Sequence, residues 1–527
     1  MKLKYLFYLL IIFLFFQYSM AIQDVYILKD TGATACSFLI ISFYMIRGTL
    51  KGSIKLPRAD IALLFGVLAL ASALPLFFSA FQVLAARNLF PLFTAIVTVL
   101  IFTTLEEKEK YSIVSFFAFC SSLAVIYGLF QHAGLDIIEW GIKGRPLGTM
   151  GNPNLHSAFT ALSLPIFFHL IAKGKTRRLY YMPVVLLSLI SMYAAGSRAA
   201  LLSAAIVFAV ILIGLIPARF RLLSSVIILI LAAAAAIPFR YKVIEAAGLR
   251  DFDTRMRALA TASAAGMISA RPLTGFGPGS FESIIPLYRK TEFEMLESKN
   301  NLRLDHAHND YIEYAAEHGL LSAGVFLTFI FSSFFLLIKD GDKGLTLRKS
   351  LLYSYLTLLI IMLVDFPTHI APGLFFFLFL PGAALSLYCG GGTTACLKLS
   401  SFNRIYYTFL ALIMTALALL ACAKPLLPEL FLKNGSAGPE KYLTDPYNKK
   451  LLYAMFLSAT SGDRKTEVLK KAEKTFPNAD LYAGLLGVQY ESAGDMPRAV
   501  YYYRKVRSLS PHHPFLQSKK DLIEPHD

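Results

Sequence analysis

The sequence predicts an all-α polytopic membrane protein that carries a helical domain after its last span. Three observations predict it. Hydrophobic residues make up 56% of the 527 positions and charged ones only 16%, a balance that excludes a soluble enzyme. The apolar residues gather into runs near the ~20 needed to cross a ~30 Å hydrocarbon core, and helices satisfy their own backbone groups there. Finally, lysine and arginine concentrate in every second short loop, as a topology signal does. The net charge of +17 is spread over those loops, which argues against a nucleic-acid partner. Of the five cysteines, Cys36, Cys120 and Cys422 lie in apolar runs and Cys389 and Cys396 flank a glycine-rich turn, so neither zinc spacing nor a disulfide framework is present.

In chain order the candidate spans are 5–20, 33–47, 59–80, 84–104, 111–131, 155–172, 179–195, 199–216, 221–238, 318–338, 350–366, 370–389 and 404–423. This gives about 12–13 transmembrane helices. The first could also be a signal peptide, since Ser19-x-Ala21 resembles a cleavage site. With the N-terminus inside, the inner loops hold twenty Lys/Arg and the outer ones five: Lys29, Arg87, Lys143, Arg145 and Arg198. The long excursion over 239–317 then faces outward, and thirteen spans put the tail outward as well. The expected domains are a membrane domain over 1–424 and a soluble tail over 425–527.

That tail is Lys- and Tyr-rich. Gly487, Tyr490, Gly494, Ala499, Tyr503 and Pro511 follow the spacing of a tetratricopeptide repeat, and Pro477 lies 34 residues before Pro511. A degenerate earlier repeat over 446–479 is expected. Two repeats bury little core alone, so the tail should pack on the membrane domain or on a protein partner.

The outward segments hold the chemistry. Leu304-Asp305-His306-Ala307-His308-Asn309-Asp310 runs into an apolar helix, which places two histidines, Asn309 and Asp310 where water meets lipid. Ionisable groups there are functional candidates, with helix capping as the plain alternative. Arg145-Pro146-Leu147-Gly148-Thr149-Met150-Gly151-Asn152-Pro153-Asn154 is a tight-turn segment entering a span with His156. Arg198 stands in the short turn Gly196-Ser197-Arg198, suited either to an anion or to snorkelling. The long loop adds Arg250, Arg255 and Arg257, then Arg271-Pro272-Leu273-Thr274-Gly275-Phe276-Gly277-Pro278-Gly279, which reads as a phosphate nest or a structural turn. Asp251-Phe252-Asp253 has an Asp-x-Asp form, a weak metal signal, and no metal site or cofactor is expected. Arginines suit a diphosphate and a neutral histidine can deprotonate a hydroxyl. Together they suit transfer from a lipid-linked diphosphate to an alcohol.

Four of these motifs in this order, Gly151-Asn152-Pro153-Asn154, Gly196-Ser197-Arg198, the Arg271–Gly279 run and His306-Ala307-His308-Asn309 with Gly319 after it, resemble the O-antigen ligase and polymerase superfamily of bacterial envelope glycosyltransferases. Pilin O-oligosaccharyltransferases are in the same superfamily. The resemblance covers most of 84–390. It implies an inverting, metal-independent transfer of glycan from undecaprenyl diphosphate on the periplasmic side of the inner membrane. The acceptor would be a lipid A core, a growing glycan or a protein hydroxyl. It also implies that His308 is the essential motif histidine, with His306 beside it, and that Arg198 and Arg255, supported by Arg271, bind the donor diphosphate. Asn309, Asp310, Asn152 and Asn154 are supporting residues. Gly319-Leu320-Leu321-Ser322-Ala323 departs from the ligase pattern Gly-x-x-Gly-Thr-Thr, which weakens the lipid A acceptor. A lipid-linked glycan transporter is the rival from another class, but inverted repeats and broken midplane helices are not evident.

Overall fold

The computed structural model describes residues 2–17, 25–136, 144–216, 219, 252–300, 304–338, 345–388, 395–433 and 449–523. The apolar runs form helices α1 (Lys4–Phe16), α2 (Val25–Lys51), α3 (Ala59–Ala73), α4 (Gln82–Thr103), α5 (Glu107–His132), α6 (Pro153–Ile171), α7 (Lys175–Ala194) and α8 (Arg198–Leu215). The long loop contributes α9 (Phe252–Ala270), α10 (Phe281–Ile284) and α11 (Thr291–Asn300), and the bundle resumes with α12 (Asp310–Ile338), α13 (Leu347–Ile361), α14 (Ala371–Tyr388) and α15 (Ser401–Lys433). Among the described residues seven helices are long and apolar enough by themselves to cross a membrane. Twelve of the expected spans fall on helices; the ninth, 221–238, lies outside the described residues, as do the Ser19–Ala21 site, Lys143, Arg250 and Asp251.

Several boundaries differ from the sequence reading, helix α15 running on to Lys433 where 423 was expected, and two of the differences have a clear physical reason. Helix α2 begins at Val25, a turn and more before 33. Its polar first turns are satisfied inside the bundle: Lys29 Nζ donates to the carbonyls of Leu14 and Phe15 at the end of α1, at 3.1 and 2.8 Å, and Asp30 accepts from the backbone N–H of Ala371. Helix α12 starts at Asp310, not at 318, because it is two helical stretches meeting at Gly319, whose φ of 75° and ψ of 164° break the ladder.

Helices α6 and α14 form the centre. Rings of Phe15, Phe117, Phe159 and Phe376 interlock across α1, α5, α6 and α14. Leu378, Leu380, Ala383 and Ala384 on α14 are fully buried. Leu63, Leu70 and Phe77 on one side, and Phe402, Ile405 and Leu419 on α15, are exposed, as lipid-facing side chains are. A two-stranded antiparallel ribbon, β1 (Ser53–Lys55) with β2 (Cys396–Lys398), joins the loops at the lysine-rich end.

The tail contains two helical hairpins, α16 (Lys449–Ser458) with α17 (Gly462–Thr475) and α18 (Asp480–Ser492) with α19 (Met496–Leu509), closed by α20 (Lys520–Ile523). Gly487 lets Tyr503 lie against α18: a Cβ there would come within 2.3 Å of the ring. Ala483, Leu486, Ala499 and Tyr503 form the buried seam.

Candidate active site

The site is built where the N-terminus of α12 meets the turn between α13 and α14. Asn309 caps α12: its Oδ1 accepts from the backbone N–H groups of Tyr311 and Ile312 at 3.1 Å, and its Nδ2 donates to the carbonyl of Leu363 at 2.9 Å. Just before it, His308 adopts φ 52°, alone among the described non-glycine residues in that region. A left-handed non-glycine residue costs of order 1–3 kcal/mol and persists where its surroundings hold it. Here the reversal sets two imidazoles around one ring. His306 stacks on Phe366 with centroids 4.3 Å apart, and His308 meets the same ring edge-on at 4.9 Å. Ala307 between them is sealed off, with the Thr261 hydroxyl of α9 on its carbonyl.

The two histidines have different partners. His306 Nδ1 donates to Glu313 Oε1 at 2.8 Å, while the other Glu313 oxygen accepts from the Ala307 N–H at 2.7 Å. Burial acts to lower the His306 pKa, but the Glu313 charge and hydrogen bond outweigh it, and the group is raised to about 9. His306 is therefore an imidazolium near neutral pH. His308 Nδ1 lies 3.5 Å from Asp365 Oδ1, close enough for an ion pair but without a hydrogen bond between them.

Behind them stands His369. Its Nε2 is 3.3 Å from Asp310 Oδ1 and 3.4 Å from Glu313 Oε1. Burial lowers its pKa to about 4, so it stays neutral. Asp310 also receives the Thr368 N–H and sends its own N–H to the Met362 carbonyl, which ties α12 to the turn. Beyond this cluster a cavity of about 150 Å³ is lined by Asp30, Ser72, Asn88, Tyr314 and Glu317. It is smaller than the ~300–1,000 Å³ of ordinary ligand pockets, so a large ligand has to engage the partly exposed side of His306 and His308. Donor atoms of His306, Glu313 and His369 lie within 4.8 Å of one another, a set able to hold a divalent cation.

The glycine-rich run serves the same junction. Gly277 N–H donates to the Glu317 carbonyl at 2.8 Å, and Leu320 N–H to the Pro272 carbonyl at 2.7 Å, across the break at Gly319. A Cβ on Gly275 would lie 2.3 Å from the Glu317 carbonyl oxygen, and one on Gly319 2.2 Å from that of Leu273. The Gly279 and Phe281 N–H groups are both taken by the Glu317 carboxylate, at 2.8 and 2.9 Å. The run is thus a structural turn, and its anion is an internal carboxylate.

The remaining sequence candidates are dispersed. Arg198 opens α8 and is exposed. Arg255 pairs with Glu292 at 2.5 Å. Arg271 lies over the Phe276 ring at 4.7 Å and donates to the Phe78 carbonyl. It is Arg257, one helical face away from Arg255, that reaches the histidines' turn, donating to the Val364 carbonyl at 3.0 Å. Asp253 is exposed at the start of α9. Asn152 caps α6 through the Asn154 and Leu155 N–H groups, and Asn154 lies partly buried in its first turn. His156 is a structural residue, bonded to Ser191 inside the bundle. Glu313, Asp365 and His369 were missed by sequence reasoning. The available signal was two ionisable groups flanking Phe366-Pro367-Thr368 on the same side as the histidines.

A family model described as O-antigen ligase matches residues 183–327. That segment runs from α7 through the arginine-bearing loop and the histidine motif into α12, past Gly319. A search of curated proteins returns no match. With seven helices among the described residues apolar enough to cross a membrane and this match over 183–327, the chain is a multi-pass membrane protein that contains a segment similar to the O-antigen ligase family, a similarity that points to an enzyme of glycosyltransferase type.

Proposed function

We propose that the protein transfers a glycan from undecaprenyl diphosphate to an acceptor hydroxyl on the periplasmic side of the inner membrane, with inversion and without a metal. The observation that carries this reading is the pair of unlike imidazoles around Phe366. His308, set against Asp365, is the general base. Its free Nε2 takes the acceptor proton as the oxygen attacks the anomeric carbon, and Asp365 steadies the imidazolium that forms. His306, held cationic by Glu313, faces the departing diphosphate and offsets its charge. Arg198, Arg255 and Arg271 are proposed donor ligands with Arg257 added to them, because forked guanidinium donors match diphosphate oxygens. The lysine-rich loops at the opposite end support an outward-facing site.

For the acceptor, a second reading has its own support. The tail, read as tetratricopeptide-like repeats over 425–527, packs on loop helices α10 and α11, where Asn478 bonds Ser283 of α10 and His512 bonds Glu294 of α11. A protein acceptor gripped there, or a polymerase complex organised there, fits this better than a lipid A core does. The test is purified protein in bilayer discs with a defined glycan–undecaprenyl diphosphate and, separately, lipid A core, free glycan and a Ser/Thr-bearing acceptor protein. Glycan appearing on one acceptor with release of undecaprenyl diphosphate supports the reading. In sealed vesicles carrying the same protein, movement of intact donor across the bilayer with no transfer would replace it with transport.

A further inference from the structure

Loop helix α11 buries two carboxylates on one face, Glu294 and Glu297. Glu297 Oε2 pairs with Arg289 Nη1 at 2.5 Å, both side chains under a tenth exposed. Its other oxygen accepts the backbone N–H of Leu304 at 3.0 Å, two residues before His306. The second Arg289 nitrogen faces the tail: Nη2 donates to the Leu509 carbonyl and to Ser510 Oγ, each at 3.0 Å, and the Ser510 hydroxyl in turn donates to Asp480 at the start of α18. A run of directed bonds therefore leads from α18 and α19 through one guanidinium and one carboxylate to the first residue of the histidine loop.

Three further bonds fix the tail in the same orientation. Asn478 Nδ2 donates to the Ser283 carbonyl at 2.8 Å, and Glu294 accepts from the ring and backbone nitrogens of His512 at 2.7 and 3.2 Å. Further along, the loop is held by Glu313, which accepts the Ala307 N–H at 2.7 Å, by Asn309 on the Leu363 carbonyl at 2.9 Å, and by the longer Thr261–Ala307 bond at 3.4 Å, but at its start it is held through Glu297. The left-handed turn at His308 needs firm neighbours, since nothing local favours it. Leu304 is the point at which the tail adds to that support.

We propose that the C-terminal tail is a positioning element of the histidine loop, acting through Arg289. Arg289 touches neither imidazole; it holds Glu297, which holds Leu304. An arginine suits this place because its planar fork bonds a carboxylate on one side and two oxygens on the other, which a lysine ammonium does not reproduce. The kinetic part rests on the glycosyl-transfer reading above; the structural part does not.

The experiment uses the full chain in bilayer discs and three variants, Arg289→Met, Arg289→Lys and Ser510→Ala. It reads amide hydrogen exchange over 304–309, donor affinity, and kcat. Arg289→Met should speed loop exchange and lower kcat by about tenfold with donor affinity unchanged. Ser510→Ala keeps the ion pair and should give the same change at about threefold. Arg289→Lys should restore folding yet leave loop exchange above the parent's. Parent-like loop exchange in folded Arg289→Lys and Ser510→Ala proteins would overturn the proposal, even if Arg289→Met fails to fold. A parent protein that transfers no glycan would remove the function reading alone, because loop exchange still tests the tail's role.

Discussion

Replacing Glu313 with glutamine should convert His306 from a cation to a neutral ring at working pH. The carboxylate sits 2.8 Å from His306 Nδ1 and holds the pKa at about 9 against burial, which acts downward. Without that charge burial is opposed only by the Asp305 and Glu282 charges, and the pKa should fall to about the ordinary 6.5 or below. At pH 7.5 the imidazolium fraction should drop from nearly all molecules to about a tenth or less. If His306⁺ offsets diphosphate charge, kcat/KM should then fall about tenfold or more at that pH. The alkaline limb of the rate profile should move from near pH 9 to about pH 6.5 or below. Stability gives a second readout. A raised folded-state pKa stabilises fully below pH 6.5, and that contribution is lost as pH rises through 9. At about 1.4 kcal/mol per pKa unit it is on the order of 3 kcal/mol for this half-buried ring. The parent should therefore lose Tm over that interval, and Glu313→Gln should lose much less. An alkaline limb and a Tm profile that do not move in the variant would refute the assignment of His306 as the cation.

Three other outcomes follow from the same geometry. Chelator should leave transfer at the parent rate if, as proposed, the imidazolium and arginines neutralise diphosphate without a cation; activity lost to chelator and restored by magnesium or manganese would make His306, Glu313 and His369 ligands. Arg198→Lys should impair turnover through loss of the forked donors, and normal rates would leave Arg198 as a headgroup contact. Gly319→Ala should destabilise by roughly 2–5 kcal/mol in thermal unfolding, because a Cβ there is both left-handed and driven into the Leu273 carbonyl.

Much of this was legible in the sequence because the bilayer imposes its own ruler. Span lengths, the polar loop and the histidine motif at its end all follow from where apolar runs stop. What the sequence withheld is tertiary pairing. Glu313 reads as one more polar residue on a helix, and only the stack of His306 on Phe366 brings it into the site with His369 from a turn some sixty residues on. Arg255 and Arg257 are indistinguishable as letters, yet one faces Glu292 and the other the turn before Asp365. The alternating glycines fit an anion nest equally well until Glu317 is seen filling it. The two-stretch form of α12 depended on a backbone crossing between Gly275 and Gly319 that no local pattern encodes.

The central claim is that His308 activates the acceptor hydroxyl. General-base assistance contributes typically ~10²–10⁴-fold. The decisive measurement is glycan transfer by purified His308→Ala protein in a defined lipid, read beside donor binding and thermal stability. The account predicts a folded protein that binds donor normally and transfers it at least about a hundredfold more slowly. Near-parent transfer by that variant would contradict the account and leave His308 as no more than the strained turn before Asn309.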